Sequence, residues 1–284
     1  MLTKLLETIR PLDENAMESA RLHWDAIAKP LHSLGRLEDM IVQLAGICEN
    51  PVPAPRKKAV LIFCADNGIV AEGVTQTTQD VTAAVTQNFA KGIASVNALS
   101  RICGAEVFPV DIGVAQALDC PGVLNRKVAF GTQNFAHGPA MRRDEAEQAV
   151  CTGIDLVQEK AAEGYNLIST GEMGIGNTTT SSAVFSVLQG LPPEQVTGRG
   201  AGLSEAGLQH KIQVISRAVA ALQPDPGDVL DVLSKVGGFD VCGMMGAFLG
   251  GAICRVPVLV DGFISAVAAV SYTHLRAHET RHDL

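Results

Sequence analysis

Two kinds of apolar spacing alternate along the chain. Four short runs are continuously apolar and close on an acid followed within two residues by glycine: AVLIFCADNG from Ala59, VFPVDIGV from Val107, LISTGEMG from Leu167 and PVLVDGF from Pro257. Unbroken runs of this length fit strands of a parallel sheet with helices over both faces. Helical spacing fills the intervals, over Thr82 to Cys103, Arg143 to Glu163, Ser204 to Leu222 and Gly238 to Cys254. The βαβα order predicts an α/β fold, Rossmann-like and doubly wound, with a mainly parallel sheet.

A small helical N-terminal part precedes the sheet. Apolar residues Ala16, Ala20, Trp24 and Ile27 recur at helical spacing behind Asp13, a candidate N-cap, and Pro30 ends the run. A second helix is expected from Arg36 to Cys48. In KPLHSLGRLE between them, Lys29, Arg36 and Glu38 are candidates for function, though each taken alone reads as a solvated helix end. The proline-rich stretch ENPVPAPRKK then marks a boundary, giving a helical part at 1–55 and an α/β domain at 56–270, with a tail at 271–284.

The third apolar run leads into the chemistry. Leu167, Ile168 and Thr170 suit a buried strand, Gly171, Gly174 and Gly176 a tight turn, and Ala183 to Leu188 a helix. Such a turn presents backbone N–H groups at a helix N-terminus and can hold a phosphate without a cation. Thr178, Thr179, Thr180, Ser181 and Ser182 add hydroxyls. The spacing is neither that of a dinucleotide-binding fingerprint nor that of a P-loop, so a structural turn and a phosphate site both stay open. A second glycine turn, VTGRGAGLSEAGL from Val196, precedes a helix carrying Lys211. It reads either as a loop N-capped by Ser204 or as a second clamp on the same anion. In open parallel sheets ligands sit outside the carboxyl ends of the strands, where Asp66, Asp111, Glu172 and Asp261 are all expected to converge. Hydroxyls, glycine N–H groups and acids together suit a phosphorylated sugar.

Composition narrows the partners. The 284 residues are 47% hydrophobic and 18% charged, enough for a sizeable core, and the net charge is −8. An acidic chain without clustered Lys and Arg disfavours nucleic acid and anionic membranes, leaving small molecules. Seven scattered cysteines form no C-x-x-C pair and fit buried thiols in a reducing compartment. Early acids exclude a signal peptide, and the apolar run from Val256 to Val270 is broken by Asp261, so a cytoplasmic protein is expected.

KPLHSLGRLE, FCADNGIVAEGV, VDIGV, GPAM, GEMGIGNTTTSSAV, GRGAGL, LSKVGGFDVCGMMGA and PVLVDGFISAVAA resemble, in order, segments of the nicotinate-nucleotide:dimethylbenzimidazole phosphoribosyltransferases of cobalamin nucleotide-loop assembly. The resemblance implies transfer of phosphoribosyl from nicotinate mononucleotide to a benzimidazole, with no metal or cofactor, in a homodimer. By similarity Gly174, Ile175, Gly176, Asn177, Thr178 and Thr179 cradle the phosphate with Ala201, Gly202 and Lys211. Glu172 lies beside the reacting groups, Asp261, Gly262 and Phe263 near ribose, and Thr77 and Val85 along the benzimidazole pocket.

After Val270 the resemblance stops. The family's R-L-G-E-G-type motif, whose glutamate is its general base, has no counterpart here, which implies binding with slow turnover. The tail SYTHLRAHETRHDL resembles translated cloning or adapter sequence and is expected to bury little. Its His278, Glu279 and His282 match H-E-x-x-H, but without an apolar face to pack they are read as adventitious rather than as a zinc site. Two alternatives are a metal-dependent phosphoryl-transfer or hydrolysis enzyme using Asp66, Asp111 and Asp261, and a protein that only binds nucleotide and azole.

Overall fold

The computed structural model describes residues 2–279, and the side chains of the H-E-x-x-H match lie outside the described residues. Helices α1 (Leu2–Leu6), α2 (Glu14–Ala26) and α3 (Arg36–Cys48) come first. Asp13 caps α2 by accepting the Ala16 N–H, as the sequence predicts. Ala20, Val42 and Ala45 form a small separate core with Met17 and Trp24. Between α2 and α3 the Lys29 ammonium lies 2.8 Å from the buried Glu38 carboxylate, which also accepts the Leu34 N–H at 3.1 Å. This pair closes the loop rather than fraying at helix ends, because the turn leaves a backbone donor that only a folded-back acid satisfies.

The sheet uses β1 (Lys58–Ala65), β2 (Ala105–Gly113), β3 (Leu124–Asn125), β4 (Leu167–Met173) and β5 (Val258–Leu259), all parallel, in the order β3-β2-β1-β4-β5. Helices α4 (Asp80–Ala90) and α5 (Ser95–Cys103) replace the single predicted helix. The break falls where Gly92 takes a φ of +73°, a left-handed conformation that ends a helix. Helices α6 (Arg143–Ala162), α7 (Asn177–Gln189), α8 (Pro193–Val196), α9 (Glu205–Leu222), α10 (Val229–Val236), α11 (Phe239–Cys254) and α12 (Gly262–Glu279) complete the fold.

Strand alternation divides β1. Ala59, Leu61 and Phe63 face the main core with Val110, Ile112 and Ile168, under α6 and α11. Val60, Ile62 and Cys64 face the other side, where α4 and α5 leave much of the sheet uncovered. Helix α12 runs past Val270, and Ser271 and Leu275 are buried against the main core. The expectation that the tail buries little is therefore corrected, since a helix already seated by Val267 and Ala268 carries the next turns along the same apolar stripe.

Candidate active site

The chain order reverses between β1 and β4, and the crevice at their carboxyl ends is the topological switch point. The loops leaving the two strands touch there. A Cβ on Gly174 would lie 2.3 Å from the Ala65 carbonyl oxygen, so only glycine permits the contact. Gly176 follows with a φ of +92° as the N-cap of α7. The strand continues to Met173, past the predicted turn at Gly171, and α7 starts at Asn177, before the predicted Ala183.

Beside this turn lies a small cleft of about 90 Å³, lined by Gly174, Ile175, Gly176, Asn177 and Thr178 on one side and by Gly200, Ala201 and Lys211 on the other. Thr77, expected along the benzimidazole pocket, lines this cleft and not the larger cavity. The buried Lys211 ammonium donates to Thr178 Oγ1 at 2.8 Å and to the Gly198 carbonyl at 3.3 Å. Burial lowers its pKa to about 8. Ile175 brings no free N–H, because Thr82 Oγ1 accepts it at 3.2 Å. Thr179 is buried. Gly202 lies outside the lining and accepts from Gln76 Nε2 at 2.6 Å, while Gly200 and Arg199, which motif reading passed over, line the cleft.

A second, larger cavity of about 570 Å³ runs along the open sheet face. Val60, Ile62, Phe89, Val96 and Leu99 supply apolar walls, and Glu172 and Asp261 lie at its carboxyl end. Glu172 accepts the Asn177 Nδ2 amide, and the same nitrogen donates at 3.0 Å to Asp240. Burial raises the Glu172 carboxyl above the usual carboxylate range, the Asn177 amide opposing and the Asp261 charge adding to the rise. Burial pushes Asp240 up to about 7, against the same amide and with the Glu172 charge. The motif LSKVGGFDVCGMMGA contains Asp240, but sequence alone assigned the residue no role.

Of the four strand-end acids, only two reach this region. Asp66 is buried and accepts the Ala115 N–H at 2.8 Å; Asp111 accepts the Val114 N–H at 3.0 Å and pairs with Lys127 at 2.9 Å. Buried turns need acceptors for their N–H groups, and these two acids serve the loop after β2. The convergence of four acids is thus corrected to Glu172 and Asp261, and the triad of Asp66, Asp111 and Asp261 does not assemble. Gly262 opens α12 with a φ of +78°, and Phe263 packs edge-on against Phe185 at 6.1 Å between centroids. Val85 is half-buried on α4 and lines neither cavity.

A family model described as a phosphoribosyltransferase matches residues 9–282. The nicotinate-nucleotide–dimethylbenzimidazole phosphoribosyltransferase of Acetivibrio thermocellus is 51% identical over 271 residues, covering 95% of this chain and 77% of that protein. The enzyme of the same name from Ruminiclostridium cellulolyticum is 50% identical over 266 residues, covering 94% and 76%. The crystal structure of CobT from Thermus thermophilus superposes with a TM-score of 0.88 at 39% identity, covering 94% of this chain and 80% of that one. With a match spanning nearly its whole described length, in sequence and in fold, this chain belongs to the nicotinate-nucleotide–dimethylbenzimidazole phosphoribosyltransferase family.

Proposed function

We propose that the chain transfers phosphoribosyl from nicotinate mononucleotide to 5,6-dimethylbenzimidazole, giving α-ribazole 5′-phosphate and nicotinate. One observation carries the reading: Asn177, which lines the phosphate-sized cleft, donates its amide to Glu172, which lines the apolar cavity, beside the switch point of the sheet. In this arrangement the helix N-terminus, Thr178 and Lys211 hold the phosphate, and the larger cavity takes the flat base. An azole nitrogen attacks C1′ as the bond from C1′ to the pyridinium nitrogen breaks on the opposite face, inverting that carbon. Nicotinate leaves as a neutral pyridine ring and needs no acid. The azole N–H proton goes to a carboxylate, a role assigned to Glu172 because it lines the larger cavity and its carboxyl is raised toward basicity by burial.

Asp261, at the end of the cavity, suits the ribose hydroxyls. The homodimer belongs to the same proposal, supported by apolar side chains exposed on α2, α3 and the loop between them, among them Leu22, Leu31, Leu34 and Met40. Among the described residues no helix is long and apolar enough to cross a membrane, which accords with the proposed cytoplasmic location.

Incubation with both substrates should yield the α-riboside phosphate, identified by mass and by its anomeric proton coupling. Glu172→Gln should lower kcat by about 10²-fold or more, the range of positioned base catalysis, with the nucleotide KM nearly unchanged. Hydrolysis of the nucleotide without base transfer would count against the reading.

A further inference from the structure

Asp240 is the second residue of α11, and an acid there ordinarily serves its own helix. One oxygen does so: Oδ1 accepts the Val241 N–H at 3.0 Å. The other oxygen leaves the helix and reaches Asn177 Nδ2, which lies on a different element, sixty-three residues away in sequence, and also holds Glu172. Two glycines leave room for this carboxylate. A Cβ on Gly174 would lie 3.0 Å from Oδ2, and one on Gly238 2.6 Å from Oδ1. The chamber continues to Asn67, whose Oδ1 accepts from Thr180 at 3.0 Å and whose Nδ2 is buried without a hydrogen-bond partner.

Capping alone does not account for a fully buried acid here, since asparagine or serine would cap α11 without the desolvation of a charge. What asparagine cannot supply is a negative charge beside a second carboxylate. An ionised Asp240 orients the Asn177 amide, which then presents its second hydrogen to Glu172 in one direction only. The charge of Glu172 in turn raises the pKa of Asp240, so one amide joins two carboxylates that compete to ionise. Glu172 and Cys242 are the titratable groups that interact with Asp240, and Asp261 acts on Glu172 from the far side.

We propose that Asp240 is a positioning residue for the transfer step, acting through the Asn177 carboxamide on the orientation of Glu172. The proposal rests on the phosphoribosyl-transfer reading, and its test separates the two. Carboxyl carbons of the full chain are labelled with carbon-13, and Glu172 is titrated by NMR in the wild type and in Asp240→Asn, which keeps the shape and removes the charge. The Glu172 midpoint should move, because the amide it accepts is no longer shared with a second carboxylate. In Glu172→Gln the Asp240 midpoint should fall from about 7 on losing the Glu172 charge, which keeps the test available if Asp240→Asn fails to fold.

With both substrates, Asp240→Asn should lower kcat about tenfold, leave the nucleotide KM in place and move the acid limb of the pH profile. Unchanged midpoints in both variants, or a loss of melting temperature with an unmoved pH profile, overturns the proposal. Absence of base transfer by the wild type would tell against the reading of the reaction, while the midpoint shifts would still decide whether Asp240 acts on Glu172.

Discussion

The two faces of the sheet are built for different tasks. On one, α6 and α11 approach until their backbones touch: a Cβ on Gly153 would lie 2.0 Å from the Gly243 carbonyl oxygen, and one on Gly246 the same distance from that of Val150. Helix α11 is buried on every side from Phe239 to Gly251, and Phe63 and Ile112 pack into the space left by Gly243. On the other face α4 and α5 stand off and leave a cavity of about 570 Å³ over Val60 and Ile62. One strand supplies both, because successive side chains point to opposite faces. Close packing on the first face holds the loops at the carboxyl edge still, and the second face is left open beside them.

The comparison is broken most severely by filling the sealed face. Gly246→Val puts a side chain into the Val150 carbonyl, and with two backbones to separate it should cost about 4 kcal/mol or more and abolish soluble expression. A folded, thermally unchanged variant would show that α6 and α11 are less tightly joined than their glycines indicate.

Lys211→Met tests whether the small cleft is a ligand site rather than part of the core. It removes a buried ammonium, so melting temperature should hold or rise, while nucleotide affinity falls about 10- to 100-fold with a charge-assisted hydrogen bond of roughly 1.5–3 kcal/mol. The pH dependence has a definite sign. Below about pH 8 the free-state Lys211 carries its proton and affinity is flat; as pH rises above that value, binding must recharge the lysine and weakens. Calorimetric titration at pH 7 and pH 9 should show this loss in the wild type and not in Lys211→Met.

The mildest change sharpens the contrast from the open side. Gly171→Ala adds a methyl to the cavity floor 3.3 Å from Ile62 Cγ1, a contact that a slight shift of the isoleucine relieves. It should shift stability by about 1 kcal/mol or less and raise the KM for the base a few-fold, with the nucleotide KM unchanged. Equal rises for both substrates in steady-state kinetics would place the base elsewhere.

Local signals were legible where one stretch of chain decides its own structure. Asp13 and Ser204 cap the helices expected of them, and α3 runs from Arg36 to Cys48 as its spacing predicts. The Gly174–Gly176 turn was also legible, because a left-handed residue and a close backbone approach both demand glycine. Helix α10 was not predicted, since its eight residues are too short for periodicity to stand out. The equivalence read into four acid-plus-glycine endings was misleading: Asp66 and Asp111 carry the same local pattern as Glu172 but accept N–H groups of the loop after β2.

By itself the sequence determined four of the five strands, the longer helices before Cys254, the two glycine turns and the family, all of which depend on residues near one another in the chain or on segments kept in order. Tertiary structure alone decided which acids meet. Glu172 and Asp240 come together because β4 lies beside β1 at the switch point and α11 starts beneath the loop that leaves it, which brings both carboxylates to one Asn177 amide. Contacts across such sequence distances are set by strand order and helix packing, and periodicity carries no record of them.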